Sequence, residues 1–565
     1  MKKLINDPRT VVREMLEGLV DLAPGQALLE NEDVVIRAGL PPYDARREVA
    51  VLSGGGSGHE PAHAGYVGAG MLHAAVAGDV FTSPSVDAVL AAIRAVAGAA
   101  GVLLIVKNYT GDRLNFGLAA ELARAEGITV DTVVVADDVA LRDTVEPERR
   151  RGIAGTVLVH KVAGAAAAAG LPLHEVAREA RAAASSIGTM GVALGPCTVP
   201  AAGHPGFVLG DDEIELGLGI HGERGVERTA LRRADELVDT ILRAILADRG
   251  LDRGDRVALL VNGLGGTPSM ELAIVARRAI AVLRERGLTV ARAWSGDLLT
   301  ALEMPGMSLT ILPVDDARLR RLDAPTAAPA WPGDGRIGSA REVVRSPSVA
   351  PEPVSFRPPS PSADMIRWGA LAAAAALERA EAHLTELDAA AGDGDLGASM
   401  TRGAAVIRAL PAEAWSLHPG AVLTRIADAL RRAIGGTSGP LYVTALLRAA
   451  QTLPETPAAP DWSAALAAGV NAIAELGGAK PGDRTMLDAL HPAATAFAAG
   501  LGAGRSATEA WGEAVAAAEE GAAATAQMFP RLGRASYLGH RAIGKLDAGA
   551  AAAAIWMQAV WPLPQ

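Results

Sequence analysis

One glycine-rich segment carries side chains that are suited to proton transfer. In SGGGSGHEPAH, four glycines fill five positions, and His59, Glu60 and His63 follow them. Glycine allows a backbone to approach a small ligand closely, but a phosphate cradle alone would not need the acid–base groups beyond it. The segment therefore indicates a site for a hydroxylated substrate, and a generic nucleotide loop is the alternative.

Two other segments of the first half carry polar groups at predicted strand ends or between glycines. VKNYTGD supplies Lys107 and Asp112, although Asp112 taken alone predicts only a helix cap. GLGIHGERG surrounds His221 with glycines, so no apolar stripe holds its ring. A neutral imidazole nitrogen is a competent nucleophile toward a ketone or aldehyde carbon. Because open α/β folds bind ligands at the carboxyl ends of their strands, we expect the glycine-rich segment and VKNYTGD to share one crevice.

The second half contains a closely spaced triplet of acids. Asp388, Asp393 and Asp395 lie within eight residues, with glycines between and after them. Three carboxylates this close repel one another unless a cation lies among them. The closing Glu of an EF-hand is missing, and Mg²⁺ favours few carboxylates together with substrate phosphates. The triplet therefore predicts a magnesium site, with a solvated Asp-rich turn as the alternative.

Polar loops in the same half resemble phosphate-binding turns. GGTSGPL offers Thr437 and Ser438 at a predicted helix start, where backbone N–H groups attract anions. It lacks the lysine of a Walker A loop. Arg484 and Arg534 are candidate phosphate-binding charges in two later segments. Each loop alone could be a helix cap, but together with the acidic triplet they indicate a site for a magnesium nucleotide.

The elements around these segments predict two structural classes on one chain. Short apolar runs alternate with Ala-rich helical stretches up to about residue 330, which is typical of βαβ units and mostly parallel sheets. We expect two such α/β subdomains, divided near residues 188–206. The predicted strands are 48–52, 101–106, 129–135 and 256–261, and the predicted helices between them include 86–98 and 115–126.

A Pro- and Ser-rich segment, 324–362, predicts an extended linker. We place the α/β half at 1–335, the linker at 336–362 and an all-α half at 363–565. The predicted helices of that last half are 365–380, 403–410, 422–434, 463–476, 487–500, 506–521 and 548–560.

Composition excludes several classes of protein. The chain has 565 residues and a formal charge of 53 − 64 = −11, without a basic tract, so we expect no nucleic-acid partner. Its one cysteine, Cys197, excludes a disulfide scaffold. The first residues lack the apolar core of a secretory signal. The longest apolar run, 88–106, contains Arg94 and several glycines, so we expect a cytoplasmic protein without a membrane span.

The motifs together resemble those of the single-chain, ATP-dependent dihydroxyacetone kinases. The resemblance covers nearly the whole chain in the family's order, a substrate half, a linker and a nucleotide half. The motifs that carry it are MKKLIN, SGGGSGHEPAH, VKNYTGD, GIHGE, NGLGGTP, APAWP, GDGD, GGTSGPL, GDRTMLDAL and GRASYLG.

This resemblance implies two α/β subdomains and then an eight-helix barrel. It implies that His221 binds the substrate ketone as a hemiaminal and that His59 and Asp112 form an acid–base pair. Dihydroxyacetone would contact Gly56, Ser57, Gly58, His59, Lys107 and Asp112. Two Mg²⁺ ions would be held by Asp388, Asp393 and Asp395. The residues that would line the ATP site are Leu396, Gly397, Ala398, Ser399, Thr437, Ser438, Gly477, Met486, Arg534, Asp547, Ala548 and Gly549. A homodimer is also implied.

Several functions stay open at the level of sequence. The kinase could act on dihydroxyacetone, on glyceraldehyde or on a four-carbon ketose such as erythrulose. A lyase that splits FAD to cyclic FMN is a second enzyme activity found among relatives. A sugar-sensing co-regulator would require a dead nucleotide half, and the intact acidic triplet argues against it. A subunit phosphorylated by a phosphotransferase relay would have its halves on separate chains.

Overall fold

The computed structural model describes residues 2–41, 47–346 and 361–561. The chain divides into two compact units, Met1–Arg345 and Ser346–Gln565. The first is a mixed α/β unit and the second is all-helical, so the predicted fold class is confirmed. None of the described helices is long and apolar enough to cross a membrane.

The first sheet of the α/β unit has six strands in the order β1-β2-β4-β3-β5-β6. Strands β4, β3, β5 and β6 are parallel, and β1 and β2 add an antiparallel edge. The strands are β1 (Gln26–Leu28), β2 (Val34–Arg37), β3 (Ala50–Ser57), β4 (Ala74–Val80), β5 (Val102–Lys107) and β6 (Val130–Val135).

Helices cover both faces of this sheet. They are α1 (Val11–Leu22), α2 (Val86–Val96), α3 (Thr110–Ala125), α4 (Thr156–Ala168) and α5 (Leu173–Ser186). Along β5, Leu103 and Ile105 pack with α1, α4 and α5, whereas Leu104 and Val106 pack with α2 and α3. A strand buried on both faces needs a continuous apolar run, which is why this run was predictable from the sequence.

The second sheet also has six strands, in the order β11-β10-β12-β7-β8-β9. Among its described strands, only β10 and β11 pair in parallel and the other four pairs are antiparallel, so the expectation of a mostly parallel sheet is wrong for this sheet. They are β7 (Gly188–Ala193), β8 (Glu213–Leu216), β9 (Glu227–Ala230), β10 (Arg256–Gly263), β11 (Thr289–Gly296) and β12 (Gly306–Pro313). Its helices are α6 (Ala234–Arg249), α7 (Ser269–Glu285) and α8 (Asp316–Asp323). One face packs on α6 and α7. From the other face, Ala258, Leu260 and Leu312 enter the core of the first sheet, so the two sheets share one core.

Two local predictions in this unit are wrong. The glycines of SGGGSG do not form a loop after the strand, because β3 continues through them to Ser57. Gly54 and Gly56 lie where a Cβ would meet backbone atoms of the neighbouring β4 region, at 2.4 Å from the Val76 oxygen and 2.6 Å from the Thr82 nitrogen. The helix predicted from residue 115 begins at Thr110, which places Asp112 in its first turn and not at its cap.

The segment predicted as an extended linker from residue 324 packs on the α/β unit over its first part. The Ala330 N–H donates to the Gly65 oxygen at 2.9 Å. The rings of Trp331 and Trp294 lie 4.9 Å apart, and the Trp294 indole donates to the Gly333 oxygen. The remainder of the predicted linker, 347–360, lies outside the described residues.

The second unit forms a closed ring of helices. The described helices are α9 (Pro361–Arg379), α10 (Glu381–Ala389), α11 (Leu396–Arg408), α12 (Pro419–Ala433), α13 (Ser438–Thr452), α14 (Ala459–Gly477), α15 (Leu487–Gly502), α16 (Ala507–Ala524) and α17 (Ala548–Ala559). From α11 to α17 each helix contacts the next; α9 contacts α11, and α17 contacts α9, which makes a ring of eight with α10 beside it. The ring encloses an apolar cavity of about 540 Å³. Helices α10 and α13 were missed in the sequence.

Candidate functional site

Two histidines from different sheets meet in the α/β unit. His59 follows the end of β3 and is fully buried, and His221 lies in the loop of residues 217–225 between β8 and β9. Their Nε2 atoms are 3.1 Å apart. The structure therefore brings together two groups that are 162 residues apart in sequence.

The outer nitrogen of each ring has a fixed partner. Nδ1 of His59 donates to the Thr300 carbonyl at 2.7 Å, and Nδ1 of His221 donates to the Glu223 carboxylate at 2.8 Å. Two neutral rings would then face each other with opposed lone pairs, so the pair holds one proton between its Nε2 atoms. Burial, with the charges of Lys107 and His221, holds the pKa of His59 well below its usual value.

The charge of this proton is balanced at Glu223. Burial alone would raise its pKa, but the hydrogen bond and charge of His221 lower the pKa of Glu223 to about 2. The second carboxylate oxygen of Glu223 accepts the backbone N–H of His221 at 2.9 Å. Glu223 therefore fixes both the ring orientation and the tautomer of His221.

Aromatic side chains enclose the pair. The Phe81 ring stacks on His59 with centroids 5.1 Å apart, and the Tyr109 ring meets the edge of His221 at 4.6 Å. Phe81 has a φ of 59°, a left-handed conformation that non-glycine residues rarely adopt. Such strain is concentrated at ligand sites, because the surrounding structure must enforce it.

Lys107 and Asp112 lie at the carboxyl end of β5 and the start of α3. Both are buried, and a Cβ on Gly55 would lie 2.5 Å from Lys107 Nζ and 3.5 Å from an oxygen of Asp112. Glycine at this position of β3 therefore makes room for both charged groups. The Ser83 hydroxyl donates to Asp112 at 2.5 Å, and Lys107 Nζ lies 2.8 Å from His63 Nε2. Burial lowers the pKa of Lys107.

Three predicted substrate contacts have structural partners already. The Ser57 hydroxyl donates to the Gly78 oxygen at 2.7 Å, and the Gly58 N–H donates to the Glu60 carboxylate at 3.0 Å. Gly56 packs against the backbone at Phe81 and Thr82. Gly56, Ser57 and Gly58 therefore shape the site chiefly through their backbone, and its polar side chains are those of His59, Lys107 and Asp112.

Behind Lys107 lies a second buried imidazole, His160 on α4. Its ring is 5.1 Å from that of His63, and neither of its nitrogens has a hydrogen-bond partner among the described residues. Burial, together with the charge of Lys107, lowers the pKa of His160 to about 3. The folded protein therefore keeps this ring neutral at pH values where an unfolded chain would protonate it.

This difference predicts acid sensitivity of folding. A folded pKa of about 3 against an ordinary value of 6.5 means that the unfolded state binds the extra proton between those limits. The free energy of unfolding should fall by about 1.4 kcal/mol per pH unit for each such group as the pH drops below 6.5. Denaturant midpoints of His160→Leu should fall less steeply from pH 7 to pH 4.5 than those of the wild type. Replacing the exposed His174 by Leu is the control, and an unchanged slope in His160→Leu would contradict the assignment.

In the helical unit, the three acids of the triplet lie together. Oxygens of Asp388, Asp393 and Asp395 lie within 4.8 Å of one another, where α10 ends and α11 begins. The Asp388 carboxylate accepts the N–H groups of Asp395 and Leu396 at 2.9 and 3.2 Å. Arg534 forms an ion pair with Asp393. Carboxylate oxygens in this arrangement fit Mg²⁺, a hard cation that prefers oxygen ligands.

The predicted nucleotide residues lie at helix ends. Leu396, Gly397, Ala398 and Ser399 form the first turn of α11, directly beside the acids, and Thr437 and Ser438 begin α13. Gly477 ends α14, where its Cβ position is 3.3 Å from the Leu441 side chain of α13. Met486 at the start of α15 lies against Gly549, and Asp547 caps α17 ahead of Ala548 by accepting the Ala550 N–H.

Arg484 is buried, and one nitrogen of its guanidinium is bound to backbone carbonyls. It is 1% exposed, and its guanidinium donates to the carbonyls of Ala542, at 3.2 Å, and Lys545, at 2.9 Å. It therefore holds the chain that leads to Asp547. Its Nε and Nη1 atoms have no partner among the described residues, so the predicted phosphate contact stays a prediction.

Sequence reasoning missed four residues of the α/β site. Tyr109 and Glu223 stand inside the motifs VKNYTGD and GIHGE. Because each lies two residues from a predicted site residue, Lys107 or His221, the sequence could have indicated them. Phe81 and Thr300 stand in segments without such a signal. They reach the histidines only because β4 and the turn between β11 and β12 end beside β3.

Comparison with known proteins agrees with this geometry in both halves. The Dak1 domain matches residues 17–330, and the DAK2 domain matches residues 390–561. Triokinase/FMN cyclase of Mus musculus is 45% identical over 574 residues, which cover 99% of this chain and 98% of that protein. D-erythrulose kinase of Mycolicibacterium smegmatis is 39% identical over 578 residues, with 99% and 98% coverage.

A solved structure matches over the same length. The dihydroxyacetone kinase from C. freundii in complex with AMP-PNP and Mg²⁺ is 36% identical, with a TM-score of 0.64 and 99% of each chain covered. Family matches to both halves and full-length relatives above 30% identity leave one assignment: this chain belongs to the dihydroxyacetone kinase family and is a kinase.

Proposed function

We propose that this kinase phosphorylates dihydroxyacetone with ATP and holds the ketone as a hemiaminal on His221. The observation that carries the proposal is the histidine pair, in which both Nδ1 atoms are occupied and the Nε2 atoms face each other at 3.1 Å. Nε2 of His221 becomes the nucleophile once the shared proton has moved to Nε2 of His59, 3.1 Å away. Glycerol would be rejected, because a polyol has no electrophilic carbon.

The carbonyl step uses the shared proton. As Nε2 of His221 forms its bond to the carbonyl carbon, the π electrons of the C=O bond move to the oxygen. The proton of the pair passes to His59 and on to that oxygen, which becomes a hydroxyl. The ring of His221 keeps a positive charge as a substituted imidazolium, and the Glu223 carboxylate at 2.8 Å offsets it. Charge and protons balance without another reactant.

Phosphoryl transfer then needs a base at the terminal hydroxyl. We assign this role to Asp112, acting with His59, because its carboxylate is buried beside Lys107 and already accepts the Ser83 hydroxyl. The hydroxyl oxygen attacks the γ-phosphorus, its proton goes to Asp112, and ADP leaves. A covalent bond to the ketone carbon holds this hydroxyl in one orientation toward the γ-phosphate, so the reaction does not depend on a random encounter of the two groups.

The helical unit supplies the nucleotide site in this proposal. Asp388, Asp393 and Asp395 hold Mg²⁺, which when bound neutralises charge on the phosphates. Arg534 leaves its ion pair with Asp393 to contact a phosphate. The predicted nucleotide contacts at the ends of α11, α13, α14, α15 and α17 belong to the same proposal. The homodimer and the cytoplasmic location stay predictions.

The test is a substrate panel. Purified protein with Mg²⁺ and ATP should form ADP with dihydroxyacetone and glyceraldehyde, and none above background with glycerol. Equal turnover of glycerol and dihydroxyacetone would overturn the hemiaminal, because a polyol cannot form it. Absence of ADP with every carbonyl sugar would overturn the kinase substrate assignment. Comparing D- and L-erythrulose in the same panel decides between three- and four-carbon ketoses.

A second activity is favoured by one of the relatives. A protein 45% identical over 574 residues is named triokinase/FMN cyclase, so FAD is a candidate second substrate. In that reaction the ribityl hydroxyl would attack the near phosphorus of FAD and release AMP. Release of AMP from FAD in the presence of a divalent cation would support it, and intact FAD after prolonged incubation would exclude it.

A further inference from the structure

We propose that Arg151, held by Asp138, is a positioning residue that keeps the His221 loop at the distance from His59 that catalysis needs. The inference rests on the proposed hemiaminal. His59 belongs to the first sheet, whereas His221 sits on the loop of residues 217–225 of the second sheet. Their distance of 3.1 Å therefore depends on whatever ties that loop to the first sheet.

Arg151 and Asp138 form a rigid unit in the segment that joins the two sheets, where Asp138 also forms a bridge with Thr189 of β7. Both follow β6, and their side chains are 12% and 1% exposed. The Arg151 guanidinium donates to Asp138 through Nε at 2.8 Å, and its Nη2 lies 2.7 Å from the same oxygen. Asp138 is itself fixed, since its carboxylate accepts the Ala140 N–H and its own N–H donates to the Arg151 oxygen.

From this base the guanidinium reaches both ends of the loop. Nη2 donates to the Gly217 oxygen at 2.6 Å, and Nη1 reaches the Glu223 oxygen at 3.5 Å. The Gly219 N–H also donates to the Glu223 oxygen at 2.9 Å, which closes the loop on itself. A Cβ on Gly219 would come within 2.6 Å of Nη1, so the loop backbone packs directly on the guanidinium.

The loop needs such a support because its own sequence gives it little rigidity. Four of its nine residues are glycines, which have the largest backbone freedom to lose. Arginine suits this role, since its planar fork offers several donors in fixed directions. Glu223, whose carbonyl Nη1 approaches, also orients the His221 ring. A shift of the loop would therefore move both the nucleophile and its counter-charge.

Arg150, the preceding residue, provides a matched control. It also forms a buried ion pair between the two sheet regions, donating to Asp248 of α6 at 2.9 Å, and these side chains are 5% and 8% exposed. That pair contacts the end of α6 and not the loop. Arg150→Met and Arg151→Met thus remove similar buried pairs, and only the second removes contacts to residues 217 and 223.

The first readout is steady-state kinetics with dihydroxyacetone. Arg151→Met should lower kcat/KM for the ketone by about 100-fold, as expected for a misplacement near 1 Å, with the KM for ATP unchanged. Arg150→Met should stay within about threefold of wild type, because it leaves the loop contacts intact. Asp138→Asn, a smaller change, should give about a tenfold loss and is the second variant if Arg151→Met does not fold.

The second readout is the covalent adduct itself. In carbon NMR with dihydroxyacetone labelled at its carbonyl carbon, wild type and Arg150→Met should show the tetrahedral adduct, and Arg151→Met should show much less of it. An equal adduct fraction and equal kcat/KM in the two arginine variants would overturn the inference and leave the proposed function standing. Phosphorylation by wild type without any adduct would overturn the hemiaminal and, with it, this inference.

Discussion

Replacing His221 by Ala is expected to reduce kcat/KM for dihydroxyacetone by about 1,000-fold or more. The substitution removes the only ring nitrogen that can bond the carbonyl carbon, and with it the fixed direction of the terminal hydroxyl. It leaves His59, Lys107 and Asp112 in place, so proton transfer groups remain without an oriented substrate. Coupled measurement of ADP formation checks this directly.

The control for this variant is a histidine outside the site. His174→Ala changes an exposed ring on α5 and should leave kcat/KM at the wild-type value. The His221 side chain is 20% exposed, so the thermal midpoint of His221→Ala should differ little from that of the wild type. Activity of His221→Ala within tenfold of wild type would contradict covalent capture.

Replacing Asp393 by Asn should remove most activity by a different route. The change deletes one charge of the acidic triplet while keeping the size of the side chain. We expect kcat to fall by about 100- to 1,000-fold, because phosphoryl transfer depends on neutralising the developing charge. Asp393 is the informative member, since Asp388 also accepts two backbone N–H groups and its loss would disturb α11.

Two measurements separate this effect from general damage. Calorimetric titration with Mg²⁺ and a non-hydrolysable ATP analogue should show weakened binding in Asp393→Asn. The adduct with labelled dihydroxyacetone should be unaffected, since it forms in the α/β unit. Asp428→Asn on α12 serves as the control, because this exposed acid forms its ion pair with Arg431 on the same helix. Wild-type cation binding by Asp393→Asn would refute the assignment of the triplet.

The sequence was informative where local patterns decide the structure. The apolar run of β5 and the Ala-rich helices of the second unit were predictable because burial on both faces and helical periodicity leave local signals. The run of glycines was misread, because glycine predicts a loop locally and only the neighbouring β4 region explains why β3 continues through it. The packing of Trp331 on Trp294 was also missed, since a Pro-rich segment gives no sign of a distant aromatic partner.

The candidate site divides in the same way. His59, Lys107, Asp112 and His221 stand in motifs whose residue types suggest chemistry. The backbone carbonyl of Thr300 sets the tautomer of His59 from 241 residues away. Because every residue has such a carbonyl, the sequence does not reveal this contact. Groups that act through their side-chain chemistry could thus be predicted, whereas groups that act through position required the fold.

The core shared by the two sheets limits how the enzyme can move. Ala258, Leu260 and Leu312 of the second sheet are buried with the helices and strands of the first. A hinge motion between the two sheets would therefore expose this apolar layer to water. Close-packed cores resist such deformation. We therefore expect ketone entry and product exit to depend on local motion at the surface and not on rotation of one sheet against the other. The loop of residues 217–225 could move in this way only when the contacts of Arg151 to Gly217 and Glu223 break, and His221 would then move with it.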